Sequence, residues 1–281
     1  MAVLSAVSLI AFVVWELRTR EPIVNLRVLA KRNFALGKAL IALMGIVLYG
    51  TTALLPLLLQ TLLGYPALQS GLSVSPRGIG AVLSMIVVGR LVGKLDGRYL
   101  AMFGFGVLAI STYWPKYINL EISRSSIAWP QIVSGFAMGF IFVPLTMLAT
   151  GTVTNEQIGN ATGVYNLMRN VGGSLGIAGV TSMLVRGAQV HQAMLVSHLT
   201  PYDPTFQQRL HDLTSGLAAQ SDPVTATQSA YGMIYQAVMA QANLLSYIDT
   251  FGLLAFLCLL AFFAPLFFAK VKAKQGTPSR H

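Results

Sequence analysis

The chain has 281 residues, of which 54% are hydrophobic and only 10% charged, against roughly 25% charged residues in a soluble domain. With 19 Lys and Arg and 9 Asp and Glu, it cannot cover a water-facing surface, and a disordered chain would be far more polar. Long apolar runs make it an all-α integral membrane protein, so its net charge of +10 has to be placed relative to a bilayer before nucleic acid is considered. The single cysteine, Cys258, lies in an apolar run; it excludes an intrachain disulfide and suggests no thiol or zinc chemistry.

The first apolar run, Ala2 to Trp15, is followed by Glu16, Arg18, Arg20 and Glu21. At a rise of about 1.5 Å per residue it reaches roughly 21 Å, short of a ~30 Å hydrocarbon core. Its positive charge follows the apolar stretch instead of preceding it, unlike a signal peptide. It reads as a partial or unusually short span with its N-terminus outside. Six fuller spans follow, at Phe34–Leu63, Gly71–Gly89, Leu100–Tyr117, Ile127–Thr150, Ala161–Val185 and Tyr247–Ala269. Pro56, Pro76, Pro144 and Pro265 fall within or at the ends of these runs, which membrane helices tolerate where neighbours satisfy the freed carbonyls.

Basic residues concentrate in Glu16–Asn33, in the turn holding Arg90, Lys94 and Arg98, and in a tail holding Lys270, Lys272, Lys274 and Arg280. The other side carries Lys116, Arg124 and Arg209, with Arg186 at its edge. The positive-inside rule then puts the N-terminus outside and the C-terminus in the cytoplasm. Most of the net charge is thereby an orientation and anionic-lipid signal, and no nucleic-acid partner is expected. The long outer loop, 187–246, has turn signals at Pro201-Tyr202-Asp203-Pro204 and Ser221-Asp222-Pro223. Helices are expected at Phe206–Ala219 and Ala226–Leu245, the later one running on into the final span.

Three cations fall within spans: Lys38, Arg77 and Arg169. Lys38 is close enough to the inner edge to snorkel. The two arginines are deeper, where a charge is costly and marks a functional site by default. Arg77 is roughly 9 Å below the outer edge, Asp249 roughly 30 Å from the inner edge, and Arg169 roughly 12 Å from it. Arg77 is therefore the better arginine partner for Asp249. Asp249 itself reads either as a proton-coupling carboxylate or as an interfacial cap of the last helix. Tyr49, Gln60, Phe142, Asn166 and Arg169 are substrate-path candidates by depth and chemistry, with ordinary helix packing the alternative.

The small-residue pairs Gly172/Gly176, Gly135/Gly139 and Gly89/Gly93 have the spacing for close helix approach. The Gly-rich run after Arg169 has no following Lys-Ser/Thr and no preceding strand, which argues against a phosphate loop. His191, His198 and His211 lack the spacing of a metal site. No metal, no cofactor and no enzyme chemistry is expected.

Four stretches taken together resemble one family. They are Glu16-Leu17-Arg18-Thr19-Arg20-Glu21-Pro22; Leu55-Pro56-Leu57 with Gln60 and Leu63-Gly64-Tyr65; Asn166-Leu167-Met168-Arg169 with Gly172-Gly173-Ser174-Leu175-Gly176; and His198-Leu199-Thr200-Pro201-Tyr202-Asp203-Pro204. The likeness is to the EmrB/QacA-type fourteen-helix drug:proton antiporters of the major facilitator superfamily, in the EmrB branch. It implies that residues 1–33 end an inserted linker helix and its cytoplasmic linker. Residues 34–270 would form the C-terminal six-helix bundle, and 271–281 a cytoplasmic tail.

The resemblance also implies proton-coupled export of hydrophobic toxic compounds across a bacterial inner membrane, giving antibiotic resistance. An N-terminal bundle, a periplasmic membrane-fusion adaptor and an outer-membrane channel would be the partners. The superfamily's cytoplasmic loop signature maps onto Gly89, Gly93, Asp96 and Arg98, with Gly93 where an Asp is usual and Asp96 placed to favour the next helix N-terminus. The competing readings are a half-transporter inert without a partner bundle and a membrane scaffold that binds the adaptor.

Overall fold

The computed structural model describes residues 32–117, 124–150, 158–200, 202–219 and 222–268. The short span at Ala2–Trp15, the linker motif Glu16–Pro22 and the basic tail from Lys270 lie outside the described residues. Apart from one bridge between Val92 and Leu95, the regular structure among the described residues is helical.

Helix α1 (Arg32–Thr61) carries Pro56 in its interior. Proline removes one helical N–H; around this break the Ser70 hydroxyl donates to the Pro56 carbonyl at 3.2 Å. Gly64, at φ 65°, turns the chain into α2 (Ala67–Val74) and α3 (Pro76–Leu91). Proline is at the first position of α3, where no N–H is needed, so the expected span from Gly71 is two helical segments. A tight turn leads to α4 (Gly97–Tyr113), which narrows into a 3-10 turn at Trp114–Tyr117. Helix α5 (Arg124–Thr150) follows, then α6 (Ile158–His198), α7 (Pro204–Ala218) and α8 (Pro223–Phe263) with a 3-10 end at Ala264–Phe267.

Four stretches are long and apolar enough to cross a membrane: Ala35–Thr61, Ala67–Leu91, Ser126–Leu148 and Pro223–Phe267. Two expected spans fall short by that measure. Helix α4 has only 17 residues before its 3-10 turn, and α6 mixes Asn166, Arg169 and Asn170 into a glycine-rich stretch. Both still belong to the bundle, α4 packing on α5 and α8, and α6 on α1 and α8. Helix α1 supplies much of the core, burying Leu40, Met44, Val47, Leu54 and Leu58 at spacings that serve several neighbours at once.

Helices α6 and α8 each have 41 residues, about 61 Å against a hydrocarbon thickness near 30 Å. Both therefore project well past the apolar slab at the end away from Arg90, Lys94 and Arg98. The reading that ended a span at Val185 is corrected: the helix continues to His198. The helices expected at Phe206–Ala219 and Ala226–Leu245 follow their turn signals as expected and begin slightly earlier, at Pro204 and Pro223, with the Asp203 amide donating to the Thr200 carbonyl at 3.0 Å in the turn before the first. Asp203 accepts from the Thr205 amide at 2.9 Å and Asp222 from the Thr225 amide at 3.1 Å, so each begins a helix with a side-chain cap followed by Pro. Hydrogen bonds from Thr225 hold the Asp222 carboxyl below its ordinary range. As expected, α8 runs unbroken from this projection into the apolar core.

Exposed aromatics mark the boundary at this far end: Tyr113, Trp114 and Tyr117 after α4, and Trp129 early in α5, as in the interfacial belts of membrane proteins. The Lys116 ammonium lies 5.2 Å from the centre of the Tyr113 ring.

Candidate functional site

Two glycine-lined seams set the positions of the intramembrane arginines. Between α3 and α5, a Cβ at Gly135 would strike the Arg77 carbonyl, and one at Gly139 the Ser84 hydroxyl. Between α1 and α6, a Cβ at Gly45 would strike the Arg169 carbonyl, and Cβ atoms at Gly172 and Gly176 the carbonyls of Ala42 and Ile46. Small residues let backbones approach this closely, which drives helix association where water does not. Gly172/Gly176 and Gly135/Gly139 thus serve helix packing. Gly89 and Gly93 do not: among the described residues nothing lies within 4 Å of a Cβ at either, and Gly93 has φ 92°. Gly93 is a turn residue whose left-handed backbone suits glycine.

Arg77 extends towards the far end from the second position of α3, as helical side chains tilt towards their N-terminus. Its Nη1 donates to Thr52 Oγ1 at 2.6 Å, and its Nη2 to Thr51 Oγ1 at 3.0 Å and Ser134 Oγ at 3.1 Å. Its Nε is buried with no partner among the described residues. The two threonines in turn donate to the carbonyls of Leu48 and Val47, so their lone pairs are available to the guanidinium.

The expected Arg77–Asp249 pairing is not formed. Asp249 Oδ2 instead meets His191 Nε2 at 2.8 Å. The reason is topological. Arg77 is on α3, which packs on α5, whereas α8 lies against α4 and α6. Helices α6 and α8 run antiparallel, so the side chains of His191 and Asp249 tilt towards each other. The projecting part of α6 is what supplies His191. Among the described residues no group of three His, Cys, Asp or Glu converges on a common point.

Arg169 points over the ring of Phe142, with Cζ 5.5 Å from the ring centre and a buried Nε that has no partner among the described residues. Two substrate-path candidates are thereby brought together as a cation–π pair. Asn166 is exposed one helical turn away. Tyr49 adjoins the same seam, its ring facing Gly173. Gln60 belongs elsewhere, at the α1–α2 corner, where its Nε2 donates to Ser70 Oγ at 3.4 Å.

In the loop signature, Asp96 Oδ1 accepts from the Arg98 amide at 3.1 Å and caps α4. The Arg98 Nε lies 3.9 Å from the same oxygen. Sequence reasoning passed over Thr51, Thr52 and Ser134, and weighed His191 only as a metal ligand. The adjacent threonines one turn before Pro56 were a readable signal; the other two depend on helix packing.

The model of the Major Facilitator Superfamily matches residues 1–177 of this chain. The multidrug export protein EmrB of Haemophilus influenzae is 33% identical over 270 residues, covering 95% of this chain and 52% of the relative. EmrB of Escherichia coli is 33% identical over 258 residues, covering 91% and 49%. The fatty acid resistance protein FarB of Neisseria gonorrhoeae is 33% identical over 220 residues, covering 78% and 43%. The chain spans about half the length of the curated relatives it matches. With an all-helical bundle and membrane-crossing helices, it belongs to the Major Facilitator Superfamily and resembles its EmrB-type multidrug export proteins.

Proposed function

We propose that the chain is the C-terminal bundle of a proton-coupled multidrug exporter. The carrying observation is the likeness to the EmrB proteins along 91% or more of the chain. The cation–π pair of Arg169 and Phe142 supports the reading, because it puts a charge and an aromatic surface inside a largely apolar bundle. Substrate would meet such a mixture of apolar walls and few polar groups. The glycine seams suit a bundle that rocks as a rigid unit against a second bundle about a midplane site.

The end bearing Arg90, Lys94 and Arg98 is cytoplasmic in this reading, by the positive-inside rule. The far end, with the projecting parts of α6, α7 and α8, then faces the periplasm and is available to a membrane-fusion adaptor leading to an outer-membrane channel. Asp249 is the proton-coupling carboxylate, with His191 as its partner instead of Arg77.

Accumulation of a hydrophobic dye in pump-deficient bacteria tests the reading. Expression with the N-terminal half of an EmrB relative is expected to lower accumulation, and Asp249→Asn to restore it with the protein still in the membrane. Export unchanged in Asp249→Asn would remove Asp249 from coupling. No export with the companion half would contradict the exporter reading, and export by this chain alone would contradict the need for a second bundle.

A further inference from the structure

Arg77 is a cation in the apolar part of the bundle, and its hydrogen-bond partners are all neutral hydroxyls. The acids among the described residues are engaged or remote in the fold. Asp96 caps α4, Asp203 and Asp222 cap α7 and α8, Asp249 meets His191, and Asp212 is exposed on α7. Among the described residues Arg77 therefore has no ion pair. A charge drawn out of water is unfavourable until an opposite charge joins it.

The hydrogen bonds already made decide which anion can join. A guanidinium offers five N–H groups, and a carboxylate or phosphate typically takes two parallel ones from a single edge. Nη2 belongs to both edges of the head, one shared with Nη1 and the other with Nε. It commits its two N–H groups to Thr51 at 3.0 Å and Ser134 at 3.1 Å, so neither edge presents a free pair. The remaining donors are single. One is the second N–H of Nη1, beside Thr52, where the contact is exposed; the other is Nε, buried without a partner among the described residues. Close backbone approach keeps Ser134 in place: a Cβ at Gly135 would strike the Arg77 carbonyl, and one at Gly80 the Ile132 carbonyl. A monatomic anion needs no fork and can rest on one N–H.

We propose that Arg77, oriented by Thr51, Thr52 and Ser134, binds a halide ion at Nη1 beside Thr52. The ion is the arginine's counter-charge where hydroxyls of α1 and α5 meet α3, and it stands apart from the exporter reading and from any transported compound. Equilibrium binding of radiolabelled chloride to the purified chain, in nanodiscs of zwitterionic lipid, tests it. Saturable binding of a single ion per chain is expected, with bromide displacing the label and the bulky carboxylate gluconate leaving it in place. With chloride at roughly ten times its dissociation constant, the melting midpoint should rise by about 4 °C over gluconate at equal ionic strength.

Arg77→Gln should lose both effects. Thr51→Val combined with Ser134→Ala keeps the charge but frees both N–H groups of Nη2, restoring a fork. In that variant formate should displace the label, which it should do poorly from the unaltered protein. Absence of saturable chloride binding would overturn the proposal, because water alone would then hydrate Nη1. Chloride binding that survives Arg77→Gln would overturn it by placing the ion elsewhere. Formate competing as well as bromide in the unaltered protein, or remaining excluded in the double variant, would contradict the geometry on which it stands.

Discussion

Arg77 and Arg169 occupy equivalent positions at two helix seams and are treated differently by their surroundings. Each has its own carbonyl against a glycine of the facing helix, Gly135 for Arg77 and Gly45 for Arg169. The heads diverge. Three hydroxyls fix Arg77, whereas Arg169 lies over one face of Phe142. Hydrogen bonds to a charged group are directional and contribute more than a cation–π contact at a partly exposed site. The comparison teaches that backbone approach sets where a cation sits in the bundle, while the local acceptors decide how firmly its head is held. Arg77 is held by three hydroxyls from two helices, and Arg169 rests against a single ring.

The seams themselves should give the largest effects. Gly135→Leu and Gly45→Leu each force a side chain into opposing backbone, which is expected to cost about 3 kcal/mol. Thermal unfolding in detergent measures this; a loss in one seam alone would break the equivalence. The heads should then separate. Thr51→Val combined with Ser134→Ala removes two acceptors from a charged donor and is expected to cost about 2 kcal/mol or more. Phe142→Ala should cost about 1 kcal/mol, with Phe142→Trp close to neutral. Equal losses at the two sites would erase the distinction between a hydroxyl-held and an aromatic-held arginine.

The smallest effect lies outside the membrane. Asp222 has a lowered carboxyl pKa in the folded chain, so its contribution to stability is present above the unfolded value, near 3.9, and is lost as pH falls through the lowered one. Asp222→Asn should remove this acid dependence at the start of α8 without touching either arginine. Melting curves collected from neutral to acid pH would reveal it.

Much of the architecture was legible from composition alone. Apolar runs located the helices, and Gly172/Gly176 and Gly135/Gly139 announced the seams because only small residues allow such approach. The same spacing misled at Gly89/Gly93, where the second glycine serves a turn, since spacing carries no information on whether a helix lies opposite. The Asp-Pro pairs at residues 203 and 222 were readable as the ends of turns, and the caps they supply start each helix two or three residues before the apolar pattern does. Depth arithmetic gave Arg77 and Asp249 similar levels, but depth says nothing about which helices are neighbours. That α8 lies beside α6, and α3 beside α5, is a property of the packed bundle; His191 became visible as a partner only there.

Proton-driven transport is tested most directly in proteoliposomes that hold this chain with an EmrB-type N-terminal bundle and carry an imposed pH gradient. Hydrophobic dye is expected to move towards the acidic compartment, to stop when a protonophore collapses the gradient, and to stop in Asp249→Asn. Dye movement at the same rate with and without the gradient would contradict proton-coupled export.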